Sequence, residues 1–103
     1  LERVEAGEPL LVIDARPRDE WDRSDMKIPG AVHVPPGEVE NHLESVARWH
    51  LIITYCVLPD EAASTRVARE LVANGRHNVR PLRGGLIAWQ QAGYPVEIKP
   101  FQN

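Results

Sequence analysis

Short apolar runs alternating with helix-patterned segments constrain this chain more than any other feature of it. Residues 10–13, LLVI, form an unbroken apolar run with Pro9 before it and Asp14 after it, the mark of a strand buried on both faces. Residues 31–34, AVHV, read as a second strand between Pro29-Gly30 and Pro35-Pro36. Residues 51–55, LIITY, and 79–82 supply a third and a fourth. Helical spacing fills the gaps. Val39, Leu43, Val46 and Ala47 recur at helical intervals within residues 37–49. Across 62–73, Val67, Ala68, Leu71 and Val72 share one face, with Gly75 as a stop just beyond. Gly84-Gly85 leads into a helix over 86–92, ended by Gly93 and Pro95. Residues 1–8 read as a short helix, and 16–21 as a loop or helical turn. Continuous apolar strands separated by helices predict a parallel sheet covered on both faces. The expected fold is a three-layer α/β/α domain with a parallel sheet of four or five strands, whose order the sequence does not dictate.

The one cysteine, Cys56, closes the run at 51–55 and precedes a short loop, Val57-Leu58-Pro59-Asp60-Glu61, that feeds the helix over 62–73. Open α/β sheets bind ligands at the carboxyl ends of their strands. Backbone N–H groups and the positive end of a helix dipole favour a thiolate or a bound anion there. A buried structural thiol is the competing reading, because free cysteine is among the most buried residue types. The pattern alone leaves the two about even. Asp60 reads as an N-cap and Glu61 as a first-turn residue, and both carboxylates weaken thiolate formation and repel anions nearby. A cysteine phosphatase needs an arginine six residues after its nucleophile to grip the phosphoryl oxygens. Ala62 stands there, and Tyr55 rather than a histidine precedes the cysteine, so that chemistry fails. Sulfur transfer, in which a thiolate accepts a sulfane sulfur as a persulfide and hands it on, needs a nucleophile and N–H donors with less demand for arginine.

Charge and composition exclude other classes. Twelve Lys+Arg against fifteen Asp+Glu leave a net charge of -3 with no block of either sign, which argues against a nucleic-acid footprint. No apolar stretch approaches the ~20 residues of a membrane span, and no signal-peptide pattern is present. A lone cysteine suggests no disulfide-stapled secreted fold, so a cytoplasmic setting is expected. The chain starts at Leu1 rather than Met, and a segment cut from a longer protein is expected. His33, His42, His50 and His77 show no metal-ligand spacing, and no metal is expected. Asp14 and Arg16 read as an ion pair holding loops together, or as the border of a cleft. Arg66 reads as salt-bridged or solvated, with a turn toward the sulfur as the alternative. Trp21 and Trp89 read as packing residues.

Three segments carry a family resemblance. Residues 11–16, LVIDAR, with Glu20-Trp21 resemble the opening strand and turn of the rhodanese family. Residues 27–35, KIPGAVHVP, resemble its first signature, usually written with His at the position of Lys27. Residues 82–89, LRGGLIAW, with 92–96, AGYPV, resemble its C-terminal signature. In this order, with a strand-end cysteine between the last two, they make the chain similar to one rhodanese domain with its core over about residues 4–97 of the 103. The resemblance implies a rhodanese-type fold and sulfurtransferase activity through a Cys56 persulfide. It implies no cofactor, a small-molecule sulfur donor, and a thiol or protein acceptor. The backbone N–H groups from Val57 to Ala62 would bind the substrate, with Val57, Leu58, Asp60, Glu61, Ala62 and Arg83 as the candidate lining. The family's active loop commonly carries glycine, arginine and a hydroxyl residue where this chain has Pro59, Glu61 and Ala62. That charge reversal argues against thiosulfate and leaves other sulfane-sulfur donors open. The alternative expectation is a weak or inactive rhodanese-like carrier, sensor or docking module, with the other domains of a parent chain as its partners.

Overall fold

The computed structural model describes residues 10–46, 51–57 and 62–99. The helix expected over 1–8 and the loop residues Leu58, Pro59, Asp60 and Glu61 lie outside them. Four strands form one sheet: β1 (Leu10–Asp14), β3 (Val32–His33), β4 (Leu51–Tyr55) and β5 (Val79–Pro81), in the order β3-β1-β4-β5 with every pairing parallel. The other elements are α1 (Arg18–Arg23), β2 (Met26–Lys27), a 3-10 helix (Val39–Ser45), α2 (Ala62–Ala73), α3 (Gly85–Gln91) and β6 (Glu97–Ile98). β2 and β6 pair antiparallel, outside the main sheet.

The two-residue period of the strands divides the core between the two faces of the sheet. Ile13 and Ile52 meet Val67, Ala68 and Leu71 of α2, together with Val39 and Val46 from the 3-10 segment and its exit. On the other face Val12 and Tyr55 meet Leu86 and Trp89 of α3, with Ile28 and Ala31. Each face therefore has its own apolar cluster, as the unbroken runs of the strands require.

Several boundaries differ from the sequence expectation, most by a residue or two. The second strand shrinks to Val32–His33, and the last helix starts one residue early, at Gly85. The helix expected over 37–49 is of the 3-10 kind where it is described. It is entered through Gly37 at φ +85° and closed by three-residue bonds such as Val46 N–H to Leu43 C=O. Gly37 N–H also donates to the Glu70 carboxylate, which ties the segment to α2. The β2–β6 pair was not foreseen, because two-residue strands carry no readable periodicity.

Candidate functional site

β1 and β4 run in register so that Asp14 lies opposite Tyr55 at their carboxyl ends, one residue before Cys56. Asp14 sits within a dense polar cluster. Its carboxylate accepts from Arg16 Nε at 2.9 and 3.0 Å, Arg16 Nη2 at 2.6 Å, the Arg16 backbone N–H at 3.1 Å and the Tyr55 hydroxyl at 2.5 Å. Tyr55 Oη in turn accepts from Ile28 N–H, and Arg16 Nη2 also donates to Met26 C=O. Asp14 and Arg16 are both 0 % exposed. Burial opposes the Arg16 charge, but the hydrogen bonds and attraction of Asp14 outweigh it and hold the guanidinium above its ordinary pKa. Burial, followed by the Asp14 charge, pushes the Tyr55 phenol up and keeps it neutral. Beside them Trp21 stacks on His33, ring centres 4.2 Å apart and 7° from parallel, and His33 Nε2 lies 2.7 Å from Arg16 C=O. Burial lowers the His33 pKa despite that contact.

Cys56 occupies the next position on β4's path and is 4 % exposed. Its Sγ is 3.7 Å from Oγ of Ser64, the third residue of α2, and the thiol donates to that hydroxyl oxygen. Ser64 is itself buried, and its carbonyl accepts from Thr54 Oγ1 at 2.9 Å. Thr54 and Cys56 point the same way by strand alternation, so both engage the head of α2. A hydroxyl rotates freely, so the Ser64 O–H can donate to the sulfur once the sulfur is anionic. The 12-residue α2 also begins here, with its positive dipole end.

The main chain around the sulfur is held from the neighbouring β1 end and from the opposite face. Tyr55 C=O accepts from Ala15 N–H, and Cys56 C=O accepts from Leu86 N–H at 2.8 Å. Gly85 makes the second bond sterically feasible. At φ +60° it brings α3 so close that a Cβ would stand 2.2 Å from the Cys56 carbonyl oxygen. The sequence expectation of positive φ or close approach at Gly84-Gly85 is met at both glycines, since Gly84 has φ +79°.

Of the expected site residues, Val57 is half-buried directly after the cysteine and Ala62 is exposed at the start of α2. Leu58, Asp60 and Glu61 lie outside the described residues, as does Pro59. Arg83 is exposed on the turn before Gly84. Asp14 and Arg16 form the ion pair expected of them, and Arg66 pairs with Glu70 at 3.0 Å. Trp21 and Trp89 are buried. Sequence reasoning missed Ser64 and Thr54. The available signal was a hydroxyl residue two positions before the cysteine on its strand and another in the first turn of the following helix. Among the described residues no group of three His, Cys, Asp or Glu side chains could hold a metal, and no helix is long and apolar enough to cross a membrane.

The family model of the Rhodanese-like domain matches residues 1–92. The HTH-type transcriptional regulator Rv0324 of Mycobacterium tuberculosis is 36% identical over 94% of this chain, which spans 41% of the regulator's length. A protein named Sulfurtransferase from Allochromatium vinosum is 27% identical over 92% of this chain and 85% of its own. Among solved structures, the BH2092 protein from Bacillus halodurans superposes with a TM-score of 0.78 at 27% identity, over 92% of this chain and 69% of that one. The Rhodanese-like domain of an Anabaena sp protein does so with 0.77 at 29% identity, over 94% and 72%.

Proposed function

The chain belongs to the rhodanese-like domain family, and on that premise we propose that it transfers sulfane sulfur through a persulfide on Cys56. The observation that carries this reading is the placement of Cys56 Sγ at the carboxyl end of a central parallel strand, 3.7 Å from the Ser64 hydroxyl at the head of α2. In the loading step the Cys56 thiolate attacks the outer sulfur of a donor. The bond between that sulfur and the rest of the donor breaks, and the leaving group departs with the electron pair. In the unloading step a nucleophilic acceptor attacks the same sulfur, and Cys56 leaves as thiolate. Both steps conserve electrons overall, so neither requires a cofactor. The Ser64 hydroxyl and the backbone N–H groups from Val57 to Ala62 are assigned to the anionic sulfur, since oriented donors stabilise charge most where water is excluded. Glu61 weighs against doubly charged thiosulfate as donor, and organic polysulfides and persulfides, which need not carry a double negative charge, are the favoured class. Mass spectrometry after exposure to polysulfide tests this: the intact protein gains one sulfur atom and Cys56→Ser does not. A wild-type protein that stays unmodified with polysulfide, thiosulfate and other sulfane donors rules the reading out.

A second reading has its own support. The transcriptional regulator is more than twice this chain's length, and a rhodanese-like segment within such a protein would serve as a sulfur-responsive or docking module rather than a turnover enzyme. Sustained turnover in a donor–acceptor assay favours the enzyme; a single loading event without turnover favours the module.

A further inference from the structure

A groove of about 360 Å³ opens between α1 and α3, within the size range of ligand sites. Cys56 does not line it, since that sulfur faces α2. Val57, Leu86 and Met26 give the groove its apolar surface. Met26 is 36% exposed and pairs across β2–β6 with Ile98, which is 72% exposed. Opposed residues of an antiparallel pair share a face, so apolar surface runs out of the groove onto that ribbon. Arg16 also lines the groove and is fully buried. Asp14 takes its Nε and Nη2, Met26 C=O takes Nη2 as well, and Nη1 has no acceptor among the described residues. A buried donor left unpaired is costly, so this nitrogen calls for an acceptor. On the α1 wall Glu20 is half-buried and, among the described residues, in no ion pair. The other arginine of the groove, Arg23, stands 3.8 Å from Asp19. Each arginine thus has a carboxylate beside it, and Glu20 is the charge left over.

Glu20 repels an anion. A simple cation satisfies Glu20 but leaves Arg16 Nη1 unpaired. A neutral amide answers both, because its C=O accepts from the guanidinium while its N–H donates to the carboxylate. We propose that this groove docks an extended segment of a protein chain, with backbone amide groups held between Arg16 and Glu20. In an extended segment alternate side chains point the same way, so one apolar side chain rests on Val57 and Leu86 and the next but one on Met26 and Ile98. A small amide would fill the groove and leave the apolar ribbon beside it uncovered, which favours a chain over a single molecule. No atom of Cys56 takes part, so the docking stands apart from the sulfur chemistry.

The probe is the blocked peptide acetyl-leucyl-alanyl-leucyl-alaninamide, titrated into the full chain while the amide NMR signals of Val57, Leu86 and Ile98 are followed. All three should shift and saturate together. The all-alanine peptide of the same length should bind at least about fivefold more weakly, since it lacks the apolar side chains. Replacing the backbone amides by esters, one at a time, removes one N–H each. At one position the ester should weaken binding about five- to tenfold. Glu20→Ala should bind that ester and the parent amide alike. Arg16→Lys, which keeps the charge beside Asp14 but lacks Nη1, should weaken the parent peptide; if it fails to fold, the Glu20 series decides alone. No saturable shift, esters bound as tightly as amides, or a Glu20→Ala variant that still discriminates overturns the proposal. So does a shift of the same signals on raising the protein concentration without peptide, which gives the groove to a second copy of this chain. Cys56→Ser should bind the peptide as wild type does. Peptide binding without sulfur uptake therefore removes the proposed function and keeps the groove, and sulfur uptake without peptide binding removes the groove alone.

Discussion

Asp14 and Cys56 stand at the carboxyl ends of adjacent parallel strands, one step apart in register, and their surroundings differ in kind. Asp14 is fully buried and receives five hydrogen bonds from Arg16 and Tyr55. Cys56 is nearly as buried, and its thiol makes a long bond to a rotatable hydroxyl. The first is a clamp whose charges are mutually satisfied; removing a partner strands the other in a low dielectric. The second holds a group whose charge state can change, because a hydroxyl can accept from a thiol and donate to a thiolate. The clamp braces the end of β4: the Tyr55 hydroxyl donates to Asp14, and Cys56 is the next residue.

The sharpest way to break this contrast is Asp14→Ala. It leaves the Arg16 guanidinium buried without its carboxylate, and a loss of about 3–5 kcal/mol in unfolding free energy is expected by denaturant titration. Cys56→Ser, with almost the same geometry, should cost no more than about 1 kcal/mol while abolishing sulfur uptake. Equal costs for the two would erase the distinction between the clamp and the cysteine beside it.

Next in size is Gly85→Ala. A Cβ 2.2 Å from the Cys56 carbonyl oxygen forces α3 away from the cysteine, and the positive φ adds strain of about 1–2 kcal/mol. Gly30→Ala is the matched control, with a similar φ of +79° and nothing within 4 Å of the added carbon. Only the Gly85 variant should exceed the strain cost alone and also change the rate of Cys56 alkylation. If both variants leave alkylation unchanged, the backbone contact does not position the sulfur.

The smallest effect concerns the stacked His33, which borders the clamp. Burial lowers its pKa from the ordinary 6.5, so below that value the unfolded chain takes up a proton more readily than the folded one. Stability contributed by neutral His33 is present above pH 6.5 and is lost as the pH falls through and below it. Unfolding midpoints between about pH 7.5 and 5.5 should fall in wild type and fall less steeply in His33→Gln. Parallel slopes would mean that the stack with Trp21 does not exclude the imidazolium.

The fold was largely legible before any coordinates. The helix expected over 62–73 is α2 to the residue, because its apolar stripe and following glycine are strong local signals. The unbroken strand runs foretold a sheet buried on both faces for the same reason. Met26 and Ile98, paired across β2 and β6, left no comparable trace, since a two-residue strand has no period to detect. At the site, the strand end, the cysteine and Gly84-Gly85 could be read in advance. Ser64 could not, because a serine in a first helical turn is ordinary until the bend of the chain brings it to a sulfur eight residues earlier.

Local pattern alone therefore decided the class of fold, the family resemblance and the position of the thiol, since periodicity, turn residues and short motifs act over a few neighbours in the chain. Tertiary structure alone decided the strand order, the Tyr55 hydroxyl on the Asp14–Arg16 pair, the serine beside the sulfur and the charged groove between α1 and α3. Each of those joins residues from different segments, and parallel register and close packing, rather than propensity, bring such residues together.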